Sequence, residues 1–156
     1  MIRYRKATLR DIPEMQRLVA DQVKEGVILP RSDDEVAVNI RSYVLAESDG
    51  TLAGYGALHI HSPRLAEIRS LIVSPEFRGE GIGKGIVEEA LREAKELGIQ
   101  EVLVLTYVPE FFLKFGFHEI DKGSIPEHKI WADCIKCIHF PNCNEVSLIY
   151  PVPAGA

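Results

Sequence analysis

The sequence predicts one mixed α/β domain, and three observations carry that reading. Alternation of apolar and basic residues at the N-terminus gives way by residue 12 to a helical period. Two apolar runs, Tyr43 to Glu47 and Leu52 to Ile60, are separated by Ser48-Asp49-Gly50-Thr51, which is hairpin punctuation. A further run, Leu65 to Val73, leads through a glycine-rich stretch into a helical pattern that ends before another short apolar strand.

In order, Ile2 to Ala7 alternates apolar with basic residues and predicts a strand. Thr8 with Asp11 three residues later is a capping signal, and Ile12, Met15, Leu18, Val19 and Val23 follow at helical spacing to about Glu25, where Gly26 stops the helix. Ser32 with Glu35 marks a second helix start ahead of Val36 and Ile40. After the hairpin, Pro63 breaks the chain before the strand Leu65 to Val73. Ile82, Ile86, Val87, Ala90, Leu91, Ala94 and Leu97 lie along one helical face, and Gly98 falls at a left-handed C-cap. Glu101 to Thr106 suits a buried strand. Pro109 starts a brief helix through Phe115, Gly116-Phe117 turns into another strand, residues 122–144 are irregular, and Glu145 to Tyr150 form the last strand. No linker, repeat or low-complexity segment interrupts residues 1–156, so a single domain is expected.

Composition narrows the function. The 156 residues carry a formal net charge of -5, which argues against nucleic acid or an anionic membrane as the main partner. No apolar run approaches the roughly 20 residues that span a bilayer, and Met1-Ile2-Arg3-Tyr4-Arg5-Lys6 lacks the apolar core of a signal peptide, so a cytoplasmic location is expected. Three cysteines are an odd number for a disulfide framework and agree with a reducing compartment.

The segment Ser70 to Lys84 is the informative one. Pro75 cannot donate to a sheet ladder, so the strand should end near Ser74. Gly79, Gly81 and Gly83 at alternate positions let the backbone curl closely around a ligand, and a helix begins at once. The unpaired N–H groups of its first turn and its dipole favour an anion there, with Arg78 and Lys84 adding charge-assisted contacts. The pattern is neither a Rossmann fingerprint nor a P-loop, because Lys84 is followed by Gly85.

Arg78-x-x-Gly81-x-Gly83 behind an apolar strand and a Ser-Pro turn resembles the acetyl-CoA pyrophosphate signature of the GNAT superfamily of N-acetyltransferases. The opening Ile2-Arg3-Tyr4-Arg5-Lys6-Ala7-Thr8 with Asp11-Ile12 looks like that superfamily's first strand and helix. Phe112-Leu113-Lys114-Phe115-Gly116-Phe117 looks like its late helix-to-strand turn. The resemblance implies a mixed central sheet of about six or seven strands flanked by about four helices. It also implies acetyl-CoA as cosubstrate, held by Arg78, Gly79, Glu80, Gly81, Ile82, Gly83 and Lys84. The backbone N–H groups of Leu71, Ile72 and Val73 would hold pantetheine and polarise the thioester oxygen. Within the superfamily, Gly26-Val27-Ile28-Leu29-Pro30-Arg31-Ser32, Leu105-Thr106, His128-Lys129-Ile130-Trp131 and the cysteine-bearing 133–145 stretch are most similar to short bacterial N-acetylglutamate synthases. That likeness implies L-glutamate as acceptor, with another amino acid, a small amine or a peptide terminus as alternatives, and a non-catalytic CoA-binding sensor as the reading from another class. A homodimer would fit the superfamily.

Acetyl transfer needs an unprotonated amine, yet a free α-amino group, with a pKa of roughly 8, is mostly charged at neutral pH. A carboxylate can take its proton, directly or through water. Glu67 stands where the resemblance puts a general base. Arg69, two residues on, should share its strand face, where it could bind a substrate carboxylate or pair with Glu67 or a surface acid. Many GNAT enzymes carry a tyrosine acid where this chain has Phe112; Tyr107, Thr106 or water is left to protonate the leaving thiolate. By resemblance to the glutamate synthases, Arg31 and Lys129 join Arg69 as cationic anchors for a dicarboxylate.

Cys134, Cys137, Cys143 and His139 could offer four soft ligands to zinc, but the stretch is short and lacks a second paired hook, so reduced thiols are expected and no metal is required. His59 and His61 fall on one side of a strand. No acidic neighbour is evident in the sequence, and they read as ordinary surface or core histidines.

Overall fold

The computed structural model describes residues 1–25, 30–121 and 146–153. Its strands are β1 (Ile2–Lys6), β2 (Tyr43–Ser48), β3 (Thr51–Ile60), β4 (Leu65–Val73), β5 (Glu101–Thr106), β6 (His118–Ile120) and β7 (Val146–Pro151). The helices are α1 (Ile12–Lys24), α2 (Asp33–Val38), α3 (Ile82–Leu97) and α4 (Pro109–Leu113), with 3-10 turns at Leu9–Asp11, Ile40–Ser42 and Pro75–Phe77. Seven strands join in the hydrogen-bonded order β1-β2-β3-β4-β5-β7-β6. The expected α/β class, strand number and helix number all hold.

By density of contact the chain divides into two compact units, Met1–His59 with Ile68–Arg92, and Ile60–Glu67 with Glu93–Ala156. In the first, β1, β2 and β3 form an antiparallel meander, with Tyr4 opposite Ala46 and Leu45 opposite Tyr55. The hairpin turns through Asp49 (φ 51) and Gly50 (φ 85), the left-handed pair that a tight two-residue turn requires. Ile12, Met15 and Val19 of α1 and Val36 of α2 bury against Tyr43, Leu45, Tyr55, Ala57 and Ile72. Ile82 and Ile86 of α3 bury against Ala46 and Ala53, with Leu71 and Val73 beside them. Ile72 thus belongs to one cluster and its neighbours to the other, the alternation of a strand covered on both faces. A register shift between Ala46 and Glu47 puts Ala53 and Tyr55, two apart in sequence, into different clusters.

In the second unit β7 pairs antiparallel with both β5 and β6, so the last strand of the sequence lies between two earlier ones. Leu65, Leu103 and Ile149 form its buried centre. Phe111, Phe112, Phe115, Phe117 and Tyr150 make a chain of ring contacts, with centroids 5.0–5.5 Å apart.

Local signals mostly set the boundaries. The Ser32 and Glu35 side chains each take the other's backbone N–H, at 3.1 and 2.9 Å, a complete capping box for α2. The Asp11 carboxylate takes the Thr8 N–H at 2.7 Å, but the residues after Thr8 form a 3-10 turn, and α1 proper starts at Ile12. Helix α4 ends at Leu113 rather than Phe115, because the Phe115 and Gly116 N–H groups reach back three residues, to Phe112 and Leu113. Leu97, expected on the buried face of α3, is 55 % exposed at the helix's last residue. The expected irregular stretch 122–144 lies outside the described residues.

Candidate functional site

The glycine-rich loop has the local geometry that an anion site needs. Strand β4 ends at Val73, and the Ser74 N–H closes on the Ala53 carbonyl at 2.7 Å. Pro75 then opens a single 3-10 turn. Gly79 (φ 85) and Gly81 (φ 77) adopt the left-handed backbone that L side chains avoid, and both have open space where a side chain would project. The Gly85 N–H makes a helical bond to the Gly81 carbonyl at 3.0 Å, so those of Ile82, Gly83 and Lys84 have no partner within the helix. Arg78, Glu80 and Lys84 surround this turn, whereas the Ile82 side chain is buried and anchors α3. Tyr4 of β1 lies so close to Gly85 that any side chain there would overlap the phenol. Leu71, Ile72 and Val73 lead into the loop with their side chains divided between the two apolar clusters.

A small pocket in the same unit is lined by Met15, Gln16, Val19, Arg31, Val36, Tyr43, Tyr55 and Ser70. Its polar edge is built from local structure. Arg31 precedes the Ser32 cap of α2, and the Gln16 side chain donates to the Arg31 carbonyl at 2.8 Å and to Asp33 Oδ1 at 3.0 Å. That bracket fixes the approach to α2 against α1. Tyr43 and Tyr55 meet edge to face at 5.7 Å, and the Tyr55 hydroxyl donates to the Met15 carbonyl. Burial pushes the Tyr43 phenol up. The Arg31 and Arg69 guanidiniums act on it in the opposite direction, as does its hydrogen bond with Ser70. Burial also raises the Tyr55 phenol. Ser70 itself has φ 57 inside β4, a left-handed residue that interrupts the strand's regular alternation just after Arg69. Of the three expected cationic anchors, Arg31 lines this pocket and Arg69 directly precedes the lining Ser70 in β4. Lys129, the third, lies outside the described residues, as do Cys134, Cys137, Cys143, His139 and Trp131.

Glu67 is only 6 % exposed, on the part of β4 belonging to the second unit. Its Oε1 lies 2.8 Å from His61 Nε2. The sequence alone offers His61 no acidic neighbour and sets Arg69 beside Glu67. The chain instead folds His61, just past the end of β3, onto the Glu67 carboxylate, a contact no periodicity shows. Thr106 is buried at the end of β5, where its Oγ1 accepts the Val108 N–H at 2.9 Å. Tyr107 beside it is 36 % exposed. Phe112, at the position of the tyrosine acid, is buried and packs edge to face on Phe111 and Phe117. Sequence reasoning missed Gln16, Tyr43, Tyr55 and His61. For His61 a signal existed in the Ser62-Pro63 corner, which turns the chain back on itself within six residues of Glu67.

Among the described residues no three His, Cys, Asp or Glu side chains stand where they would hold a metal ion. None of the helices there is long and apolar enough to cross a membrane.

Comparison with known proteins gives this geometry its context. An uncharacterized N-acetyltransferase of Chlorobaculum tepidum is 38% identical over 145 residues, 93% of each chain. The amino-acid acetyltransferase of Mycobacterium tuberculosis is 36% identical over 120 residues, 75% of this chain and 68% of that protein. Among solved structures, N-acetylglutamate synthase from Neisseria gonorrhoeae, complexed with coenzyme A and N-acetyl-glutamate, superposes with a TM-score of 0.87 at 25% identity. The match covers 98% of this chain and 35% of that one. An M. tuberculosis protein solved in complex with CoA superposes with a TM-score of 0.83 at 28% identity, over 97% of this chain and 99% of that one. The acetyltransferase (GNAT) family model matches residues 9–117, and the chain belongs to that family.

Proposed function

We propose that this chain transfers the acetyl group of acetyl-CoA to the α-amine of L-glutamate. The observation that carries the acceptor is the Arg31 side of a pocket whose wall also includes Tyr43, Tyr55 and Ser70, with Arg69 the residue before Ser70 in β4. A dicarboxylate leaves two anionic groups to be met when its amine is delivered, and guanidiniums meet carboxylates in paired hydrogen bonds. The names of the relatives, amino-acid acetyltransferase and N-acetylglutamate synthase, support the same reading.

In this reading the loop Arg78–Lys84 grips the diphosphate of acetyl-CoA through its N–H groups and the α3 dipole. The thioester then lies along Leu71–Val73, whose main chain polarises the carbonyl oxygen. Glu67 takes a proton from the ammonium, directly or through water. The neutral nitrogen attacks the thioester carbon and the C–N bond forms as the carbonyl pair moves to oxygen. Return of that pair breaks the C–S bond with its electrons leaving on sulfur, while the nitrogen gives up its second proton toward the departing thiolate. Thr106, Tyr107 or water relays that second proton to the thiolate, which needs such help less than an alkoxide does. No acyl-enzyme is invoked. The family match over 9–117 runs through both compact units, which supports reading 1–156 as one N-acetyltransferase domain.

The test is a screen of acceptors with free thiol as the readout: L-glutamate against L-glutamine, neutral amino acids, polyamines and a short peptide. L-glutamate should give the highest kcat/KM, by tenfold or more over neutral amino acids, on the order of one charge-assisted contact. Equal turnover of neutral amino acids overturns the glutamate assignment. No thiol release with any acceptor, despite bound CoA, leaves a binding module.

A further inference from the structure

We propose that His61 is the positioning residue for Glu67, holding the carboxylate in the orientation from which it takes the amine's proton; this rests on the reading of Glu67 as general base. A carboxylate ready to accept a proton is ionised and can only accept hydrogen bonds, so in the 2.8 Å contact the proton sits on His61 Nε2 and the imidazole donates to Oε1. Both side chains are withdrawn from water, at 2 % and 8 % exposure. In such surroundings a carboxylate is stable only with directed partners.

The imidazole is itself held by the corner it stands on. The His61 and Ser62 N–H groups both reach the Leu65 carbonyl, at 2.9 and 3.2 Å. The Ser62 hydroxyl oxygen accepts the Arg64 and Leu65 N–H groups at 3.2 and 3.1 Å. Pro63 fixes its own φ between them. Leu65, the far end of the corner, is buried in the core of the same unit. The whole corner is thereby locked with the ring on Glu67. This is the rigid backing a proton acceptor needs, because an error of about 1 Å in placement costs on the order of a hundredfold in rate. A histidine that merely filled space would not need a donor nitrogen at this distance.

The test measures acetyl-CoA-dependent thiol release with L-glutamate for His61→Leu, His61→Gln and His61→Asn, alone and with Glu67→Gln. The Gln amide reaches about where Nε2 stands, whereas the shorter Asn amide does not. His61→Leu and His61→Asn should lower kcat by about ten- to a hundredfold with KM for acetyl-CoA unchanged, and His61→Gln should recover most of the loss. On a Glu67→Gln background, His61→Leu should cost less than a further twofold. The proposal is overturned if all three variants lose activity equally, if none does, or if the losses multiply in the double variant. If Glu67→Gln alone keeps full turnover, the base assignment itself fails, a separate result from a failure of the His61 variants. Should His61→Leu not fold, as judged by circular dichroism, the comparison of Gln with Asn still decides.

Discussion

Arg31 owes its place to two neighbours that have nothing to do with charge. Gln16 of α1 holds the Arg31 carbonyl, and Ser32 commits the chain to α2 one residue later, so the guanidinium is delivered to the pocket edge from a fixed backbone. Its charge lowers the Tyr43 phenol against the effect of burial, which places it within electrostatic reach of whatever sits there. For an anionic acceptor, Arg31→Ala should raise KM for L-glutamate by roughly ten- to a hundredfold, the size of a lost charge-assisted hydrogen bond, and leave KM for acetyl-CoA within about twofold. Arg31→Lys should fall between, since a point charge replaces a planar fork. Steady-state kinetics with each substrate varied in turn checks both. A rise in KM for acetyl-CoA alone would assign Arg31 to the cofactor instead.

At the scale of elements, the loop between β4 and α3 depends on two glycines with left-handed φ. Gly79→Ala and Gly81→Ala each force an L side chain into that region at a cost of roughly 1–2 kcal/mol, although the space around both is open. The strain, and not a clash, should distort the turn. CoA binding measured by calorimetry should weaken about tenfold for either variant while the thermal midpoint drops only a few degrees. Unchanged affinity would show that the N–H groups of this turn do not hold the diphosphate.

The same loop was legible in the sequence because its determinants are local: a proline that ends a strand, glycines at fixed spacing, a helical period that starts at once. Capping residues and hairpin punctuation are local too, and the strands β4 and β5 begin and end where the pattern puts them. What the sequence did not show is non-local. The insertion of β7 between β5 and β6 is decided by which strand edges meet. The pocket gathers Arg31 from a loop, Tyr43 and Tyr55 from β2 and β3 and Ser70 from β4, and the His61–Glu67 contact spans a corner whose geometry only the folded chain defines.

At the scale of the whole molecule, one contribution to acid sensitivity should trace to a junction in the first unit. Arg5 of β1 donates to both oxygens of Asp11 at 2.9 Å and to Glu47 of β2 at 3.1 Å, tying the edge strand to the turn before α1 and to its neighbour. Its guanidinium, with help from the Thr8 N–H and hydroxyl, holds the Asp11 carboxyl down to about 2 from an ordinary 3.8. A carboxyl that is more acidic folded than unfolded adds stability fully present above its unfolded pKa and lost as pH falls toward its folded one. The contribution should therefore be constant from neutrality down to about pH 4 and disappear between about 4 and 2. A depression of this size corresponds to about 2 kcal/mol at most. Asp11→Asn should accordingly lower unfolding free energy by about 1–2 kcal/mol at pH 6, and the wild-type and variant curves should converge toward pH 2. Urea titrations across that range decide it: curves that stay parallel down to pH 2 would mean that Asp11 stabilises the fold through its hydrogen bonds to Thr8 and not through its charge.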